Sequence, residues 1–238
     1  MSEIELRSEM VRIANKLDEH GFNRGTSGNL SARFGEGMLI TPSGMGAEGL
    51  TEDDIVFVHM DGTSRGRWQP SSEWLFHRDI YAQRPEFGAV VHTHAVAATA
   101  LACLRKDIPP FHYMIALMGG DNIRCGKYAT FGTQELSNNA LAALRGRKAC
   151  LLANHGMIAA GKDLAEAFRI TVEVETLSEM YLRALQAGEP VLLKADEFQA
   201  AQKRFASYGK PGDRTIVSYR TKEMPRQPKG RGNSRRGL

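Results

Sequence analysis

The sequence predicts an α/β domain in which helices cover a central sheet. Three observations predict it. Segments with a helical apolar period alternate along the chain with short apolar or β-branched runs. Hydrophobic residues make up 42% and charged residues 24% of the 238, an ordinary balance for one well-cored globular domain. Turns rich in Gly and Pro punctuate the alternation, with no internal repeat and no interior linker. Periodicity leaves open whether the sheet is parallel or mixed.

The elements follow in order. Residues 3–20 set Ile4, Met10, Ile13, Ala14 and Leu17 near a 3.6-residue period, and Gly21 supplies a stop, so this is a helix packed by one face. "RGTSGNLSARFGEGMLITPSGMG" clusters Gly, Ser, Thr and Asn around two strand-like pieces, 30–33 and 38–41. "DIVFVHMDG" is a strand closing in a turn. In "PSSEWLFHRDIYAQRP", hydroxyls after Pro70 are placed to cap a helix that carries Trp74, Leu75, Ile80 and Tyr81 and ends at Pro85. "AVVHTHA" is a strand and the Ala-rich "AVAATALACLR" a helix. "HYMIAL" follows with His112 as a strand residue, then a short strand near Tyr128, the helix "TQELSNNALAALRG", the buried strand "KACLLANHG" and a long amphipathic helix over 164–187.

Charge and cysteine content narrow the function classes. Residues 210–238 hold nine Lys/Arg against Asp213 and Glu223, which leaves a body with 22 basic and 25 acidic residues. The basicity therefore belongs to a Gly-, Pro- and Arg-rich tail, 211–238, of disordered composition. No aromatic residues for base stacking are interleaved in its Arg-rich end, so no nucleic-acid partner is expected. No run approaches the roughly 20 apolar residues of a membrane helix, and the N-terminus lacks an apolar signal core, so a cytoplasmic protein without a membrane partner is expected. Cys103, Cys125 and Cys150 show no C-x-x-C spacing and read as reduced core residues.

His92 and His94 carry the first chemical signal. On a strand, side chains at i and i+2 share a face, so the two imidazoles project together. His155, where a buried strand runs into Asn154-His155-Gly156, is the best third partner. Three imidazoles suit Zn²⁺, or alternatively Mn²⁺, Co²⁺ or Fe²⁺, and leave a coordination position for substrate. Glu73 reads in two ways: a helix-dipole acid beside a Ser cap, or an acid/base next to an anion cradle formed by Ser71, Ser72 and free N–H groups. "GTSGNLS" and "TPSGMG" are two more turns able to offer donors to a phosphate. His77 and His112 read as ordinary helix and strand residues, and His20 and His59 lie by turns.

In that order, "GTSGNLS", "LITPSGM", "PSSEWLFH", "AVVHTHAVAATA", "IPPFHYMIALMGG", "YATFGTQELS", "RKACLLANHGMIA" and "VEVETLSEMYLRAL" resemble the class II aldolase/adducin family over roughly residues 5–210. The resemblance implies a three-layer α/β/α fold with a mixed, largely antiparallel sheet, in a catalytic domain over residues 1–210. It implies metal-dependent cleavage of a ketose 1-phosphate to dihydroxyacetone phosphate and an aldehyde. Matched residue by residue, the metal, one divalent ion per subunit with Zn²⁺ preferred and Mn²⁺ or Co²⁺ as alternatives, is held by His92, His94, His155 and Glu73. Glu73 doubles as proton donor or acceptor. Phosphate lies against Gly28, Asn29, Ser43, Gly44, Ser71 and Ser72. Tyr113 exchanges the proton at the departing aldehyde oxygen, and Phe131 lines the aldehyde end.

The resemblance further implies a homotetramer with sites between subunits, covered by C-terminal aromatics, here Phe205 and Tyr208. Three departures stand out: Asn154 replaces the first of a histidine pair, Ser43 stands for threonine, and the Arg-rich extension is foreign to the family. The chemistry agrees with the resemblance, because cleavage leaves an enediolate whose charge a Lewis acid stabilises without a Schiff-base lysine. Fuculose 1-phosphate, 5-deoxyribulose 1-phosphate and 5-methylthioribulose 1-phosphate all suit an apolar aldehyde pocket. Pentulose-phosphate 4-epimerase and methylthioribulose-1-phosphate dehydratase activities would use the same histidines. A non-catalytic adducin-like scaffold would have no need of this set.

Overall fold

The computed structural model describes residues 1–207; Tyr208 and the tail segment 211–238 lie outside the described residues. Helix α1 (Glu3–Glu19) leads into the strands β1 (Asn29–Phe34), β2 (Gly37–Ile40), β3 (Val56–His59) and β4 (Ser64–Arg65). Helix α2 (Trp74–Gln83), strand β5 (Ala89–Thr93), helix α3 (Val96–Cys103) and strand β6 (Arg124–Gly126) follow. The chain continues through α4 (Gln134–Leu144), β7 (Ala149–Leu152), β8 (Gly156–Gly161), α5 (Leu164–Ala187) and α6 (Ala195–Ser207).

The strands form one eight-stranded sheet in the order β4-β3-β2-β1-β5-β8-β7-β6. Every pairing is antiparallel except that of β6 with β7, so the sheet is mixed and largely antiparallel. Both faces are buried. On one, Leu30, Val91, Leu151 and Met157 pack against α1, α3 and α5 through Met10, Leu17, Leu101, Ile170 and Val174. On the other, Ile40, Val90, Leu152 and Ile158 pack against α2 and α4 through Phe76, Ile80, Leu136 and Ala140. Alternation along each strand divides its apolar residues between the two layers, which is the three-layer arrangement expected.

Local chemistry explains the helix ends. Ser2 and Glu5 close a capping box at the start of α1, with the Ser2 hydroxyl accepting from the Glu5 N–H at 3.3 Å and Glu5 accepting from the Ser2 N–H at 2.7 Å. Asp163 caps α5 and Thr133 caps α4. Among the described residues no helix is long and apolar enough to cross a membrane.

Several elements differ from the sequence reading. "HYMIAL" is not a strand: Tyr113–Met118 is a 3-10 helix with His112 as its N-cap. Its buried residues, Ile115 and Met118, are three apart, which is the 3-10 repeat, and the β-bridge that precedes it is at Ile108, paired with Ile123. The strand expected near Tyr128 lies earlier, at Arg124–Gly126. "KACLLANHG" ends its strand at Leu152 and turns back through residues 153–155 into β8, a strand that "GMIAAG" did not announce. All six residues of β8 are buried on both faces, so the segment has no polar alternation to betray it. Of the cysteines only Cys150 is buried; Cys103 is exposed and Cys125 half-buried.

Candidate active site

The centre of the sheet delivers the histidines. On β5 the register sets His92 between Asn29 of β1 and Ile158 of β8. His92 is fully buried, and its Nδ1 donates to the Met157 carbonyl at 2.9 Å, which leaves the Nε2 lone pair free. His94 follows at the strand's end, where α3 begins. The residue before α3 is Ala95, which has no capping group; instead the Glu175 carboxylate of α5 accepts from Ala97 N–H and Ala98 N–H, each at 2.8 Å. That carboxylate fixes the junction carrying His94.

His155 arrives on the turn between β7 and β8. Asn154 adopts a left-handed backbone (φ 53°), a conformation Asn tolerates better than most residues, and its Oδ1 accepts from Arg105 at 2.8 Å. Gly156 is required by space: a Cβ there would collide with the Thr93 carbonyl oxygen and lie 2.8 Å from His94 Cδ2 and 3.2 Å from His92 Cε1. The absence of a side chain at Gly156 is what lets the three rings meet.

The rings are packed with centroids 4.8–5.1 Å apart, and one nitrogen of each lies within 4.8 Å of the others. His92 Nε2 and His94 Nε2 are 3.1 Å apart. Glu73 closes the group, with Oε2 3.2 Å from His92 Nε2 and Oε1 3.2 Å from His155 Nε2. Burial drives all three imidazoles toward the neutral form: His92 is pushed down to about 3, with His94 adding to the effect, and His155 to about 4, with His92 adding. Burial lowers His94 as well, against the pull of Glu73. Glu73 Oε1 is buried with no hydrogen-bond donor. Neutral imidazoles and an orphaned carboxylate oxygen converging on one point are acceptors in want of a cation. The donor set fits a divalent metal.

Glu73 does not sit in the first turn of α2, as the sequence suggested, but at its N-cap, where its own side chain caps nothing. The Ser71 hydroxyl accepts from the Glu73 N–H at 3.3 Å, so the serine serves the local turn and the carboxylate is left for the site. Asn29 Nδ2 donates to Glu73 Oε2 at 2.9 Å.

Above this floor opens a cavity of about 310 Å³. Gly28, Asn29, Ser43, Gly44, Ser71 and Ser72 line it, together with Glu73, His94, His155 and Phe131. Two of its turns are stapled together, Ser43 N–H to the Gln69 carbonyl at 2.9 Å and Ser71 N–H to the Thr41 carbonyl at 3.0 Å. Gly28 has a left-handed backbone (φ 77°), and a Cβ there would strike the Asn23 side chain. Phe131, 64% exposed, and Tyr128 form the aromatic part of the wall. Thr26, from the "GTSGNLS" turn, lines the cavity too, as do Asn154 and Tyr128, which the sequence did not single out for it. Tyr113 does not line it: it is 52% exposed and stacks on Phe205, with ring centroids 5.9 Å apart and planes within 5°.

Sequence reasoning missed one group of residues. His77, read as an ordinary helix residue, is fully buried with both ring nitrogens engaged, Nδ1 to Ser31 at 2.7 Å and Nε2 to Asn29 at 2.6 Å. Burial, and then the neighbouring His92, hold it well below the usual histidine range. The signal was present, since His77 and Tyr81 share one face of α2, four and eight residues after the N-cap Glu73.

Residues 8–182 match the class II aldolase and adducin N-terminal domain, and the chain belongs to that family. Among its relatives, a 5-methylthioribulose-1-phosphate/5-deoxyribulose-1-phosphate aldolase of Rhodospirillum rubrum is 56% identical over 208 residues, covering 87% of this chain and 94% of the relative. An L-fuculose phosphate aldolase of Escherichia coli is 44% identical over 210 residues, covering 88% and 98%. A solved L-fuculose 1-phosphate aldolase superposes with a TM-score of 0.82 at 41% identity, covering 85% of this chain and 96% of its own.

Proposed function

We propose that this protein is a class II aldolase that cleaves a ketose 1-phosphate to dihydroxyacetone phosphate and an aldehyde. The observation that carries the reading is the meeting of three neutral imidazoles and the orphaned Glu73 oxygen at the floor of a cavity walled by Gly/Ser turns. His92, His94, His155 and Glu73 would hold one divalent cation, Zn²⁺ by ligand type, with Mn²⁺ and Co²⁺ as alternatives. Such a cation supplies Lewis-acid polarisation of the substrate carbonyl and charge stabilisation at the oxygen next to the broken bond.

The remaining chemistry belongs to the chain. Gly28, Asn29, Ser43, Gly44, Ser71 and Ser72 bind the phosphate, and the N-terminus of α2 favours its negative charge. Glu73 exchanges a proton with the carbon left by cleavage, and Asn29 keeps its carboxylate aimed. Tyr113 exchanges the proton at the departing aldehyde oxygen. Its position away from the cavity supports donation from a neighbouring subunit of a homotetramer, with Phe205 as its support. Phe131 gives the aldehyde end an apolar wall, which suits a methyl or methylthio terminus. The 56% identity to the Rhodospirillum relative favours 5-methylthioribulose 1-phosphate and 5-deoxyribulose 1-phosphate over fuculose 1-phosphate. A soluble sugar phosphate also suits work in the cytoplasm.

The test is release of dihydroxyacetone phosphate from the three ketose 1-phosphates by metal-loaded and chelator-treated protein. Metal-dependent release, with the largest kcat/KM on the two ribulose derivatives, is expected. No release from any of them by protein carrying a full equivalent of metal would refute the reading.

A further inference from the structure

Behind Glu73, between α2 and the sheet, lies a row of polar side chains in a place otherwise filled by Phe76, Ile80, Ile40 and Val90. Ser31 and His77 are 0% exposed, Tyr81 1% and Asn29 7%. Four buried polar side chains in an apolar layer are unfavourable unless each is satisfied, and here each is satisfied by the next.

The donors and acceptors allow the direction of the row to be worked out. Asn29 Nδ2 donates to Glu73 Oε2 at 2.9 Å, so Asn29 Oδ1 is the atom that accepts from His77 Nε2 at 2.6 Å. His77 then carries its proton on Nε2, and Nδ1 must accept from the Ser31 hydroxyl at 2.7 Å. With its one hydrogen committed, Ser31 accepts from the Tyr81 hydroxyl at 2.8 Å. Every donor in the row points toward Glu73. If the Asn29 amide turned over, its carbonyl oxygen would face the carboxylate, and the His77 tautomer and both hydroxyls would have to reverse with it. Of the two directions the row could take, only the observed one gives Glu73 Oε2 a donor.

The two Glu73 oxygens are made unequal as a result. Oε2 is held by Asn29, whereas Oε1 has no hydrogen-bond donor and faces His155. We propose that His77 is a positioning residue for the reaction: backed by Ser31 and Tyr81, it locks the Asn29 amide so that Oε2 is pinned and Oε1 is the oxygen presented to the site. This inference rests on the aldolase reading, in which Glu73 exchanges a proton with the carbon of dihydroxyacetone phosphate.

The experiment uses metal-loaded enzyme as wild type, His77→Phe, His77→Gln and Ser31→Ala. Two readouts are taken: kcat and KM for 5-deoxyribulose 1-phosphate cleavage, and deuterium incorporation into dihydroxyacetone phosphate in D2O with no aldehyde present. Freeing the Asn29 amide, and with it the hydrogen bond that Asn29 donates to the Glu73 carboxylate, predicts that His77→Phe slows exchange and kcat by about 10- to 100-fold. Metal content should stay full and KM should move by less than about threefold, since ground-state binding is not what is lost. Gln retains a donor toward Asn29 and an acceptor toward Ser31, so His77→Gln should recover most of both rates. Ser31→Ala, which strips the acceptor nitrogen of its donor, should slow exchange by a smaller factor. If His77→Phe does not fold, Ser31→Ala against His77→Gln carries the same comparison. Folded, metal-loaded variants that all exchange and cleave at the wild-type rate would overturn the proposal, as would a His77→Gln no faster than His77→Phe. Wild-type enzyme that neither cleaves nor exchanges would instead refute the aldolase reading.

Discussion

Replacing Gly156 by Ala is the most direct test of how the proposed metal site is assembled. The added Cβ would lie 2.8 Å from His94 Cδ2 and 3.2 Å from His92 Cε1, and would collide with the Thr93 carbonyl oxygen. Ordinary contact begins at 3.4 Å, so the His94 ring must retreat by about 0.6 Å or the pairing of β5 with β8 must open. Metal–ligand distances tolerate only about 0.2 Å. A shift of that size at one ligand, with a smaller one at a second, should weaken metal binding by about 10- to 100-fold, comparable to losing a hydrogen bond behind a ligand. Overpacking should also cost about 1–3 kcal/mol of stability. A competition titration with a fluorescent Zn²⁺ chelator, alongside urea unfolding of the chelator-treated protein, measures the two effects separately. A Gly156→Ala protein that folds normally and holds metal as tightly as wild type would show that the three histidines do not share one ion.

Two further predictions follow from the same geometry and a third from the composition of the tail. Glu73→Gln should retain a full equivalent of metal, measured by atomic emission, while kcat falls by at least about 10²-fold; normal turnover would remove Glu73 from the proton path. Acid should destabilise the chelator-treated protein. His92 is depressed to about 3 against an ordinary value of 6.5, so between those values the unfolded chain binds the extra proton, and stability falls as pH falls. From pH 7 to 5 this one residue accounts for about 2 kcal/mol, and urea midpoints unchanged across that interval would contradict its neutral burial. Removing residues 210–238 should leave the proposed homotetramer intact by light scattering, and its dissociation would show that the tail belongs to the assembly.

Much of the site was legible because its residues obey local periods. The two-residue repeat of a strand puts His92 and His94 on one face, and the Gly/Ser turns declare themselves by composition. The same periods marked the helices that cover an apolar sheet. Other features depend on which strands become neighbours. That β1 and β8 flank β5 sets Asn29 opposite His92 and brings the turn bearing His155 up to it, a relation between residues more than sixty positions apart. Strand β8 escaped notice because burial on both faces erases alternation, and the 3-10 helix at Tyr113–Met118 because its apolar run suits a strand equally well.

His77 illustrates the division most clearly. By itself the sequence determined its face on α2, in line with Glu73 and Tyr81. Only the tertiary structure decided that this face meets Asn29 and Ser31 on β1, turning three evenly spaced polar residues into a hydrogen-bonded row that ends on Glu73. Local spacing is fixed by backbone geometry and can be read residue by residue. Partnership across the sheet is fixed by strand order and by the need to satisfy buried polar groups, and both arise only when the whole chain has packed.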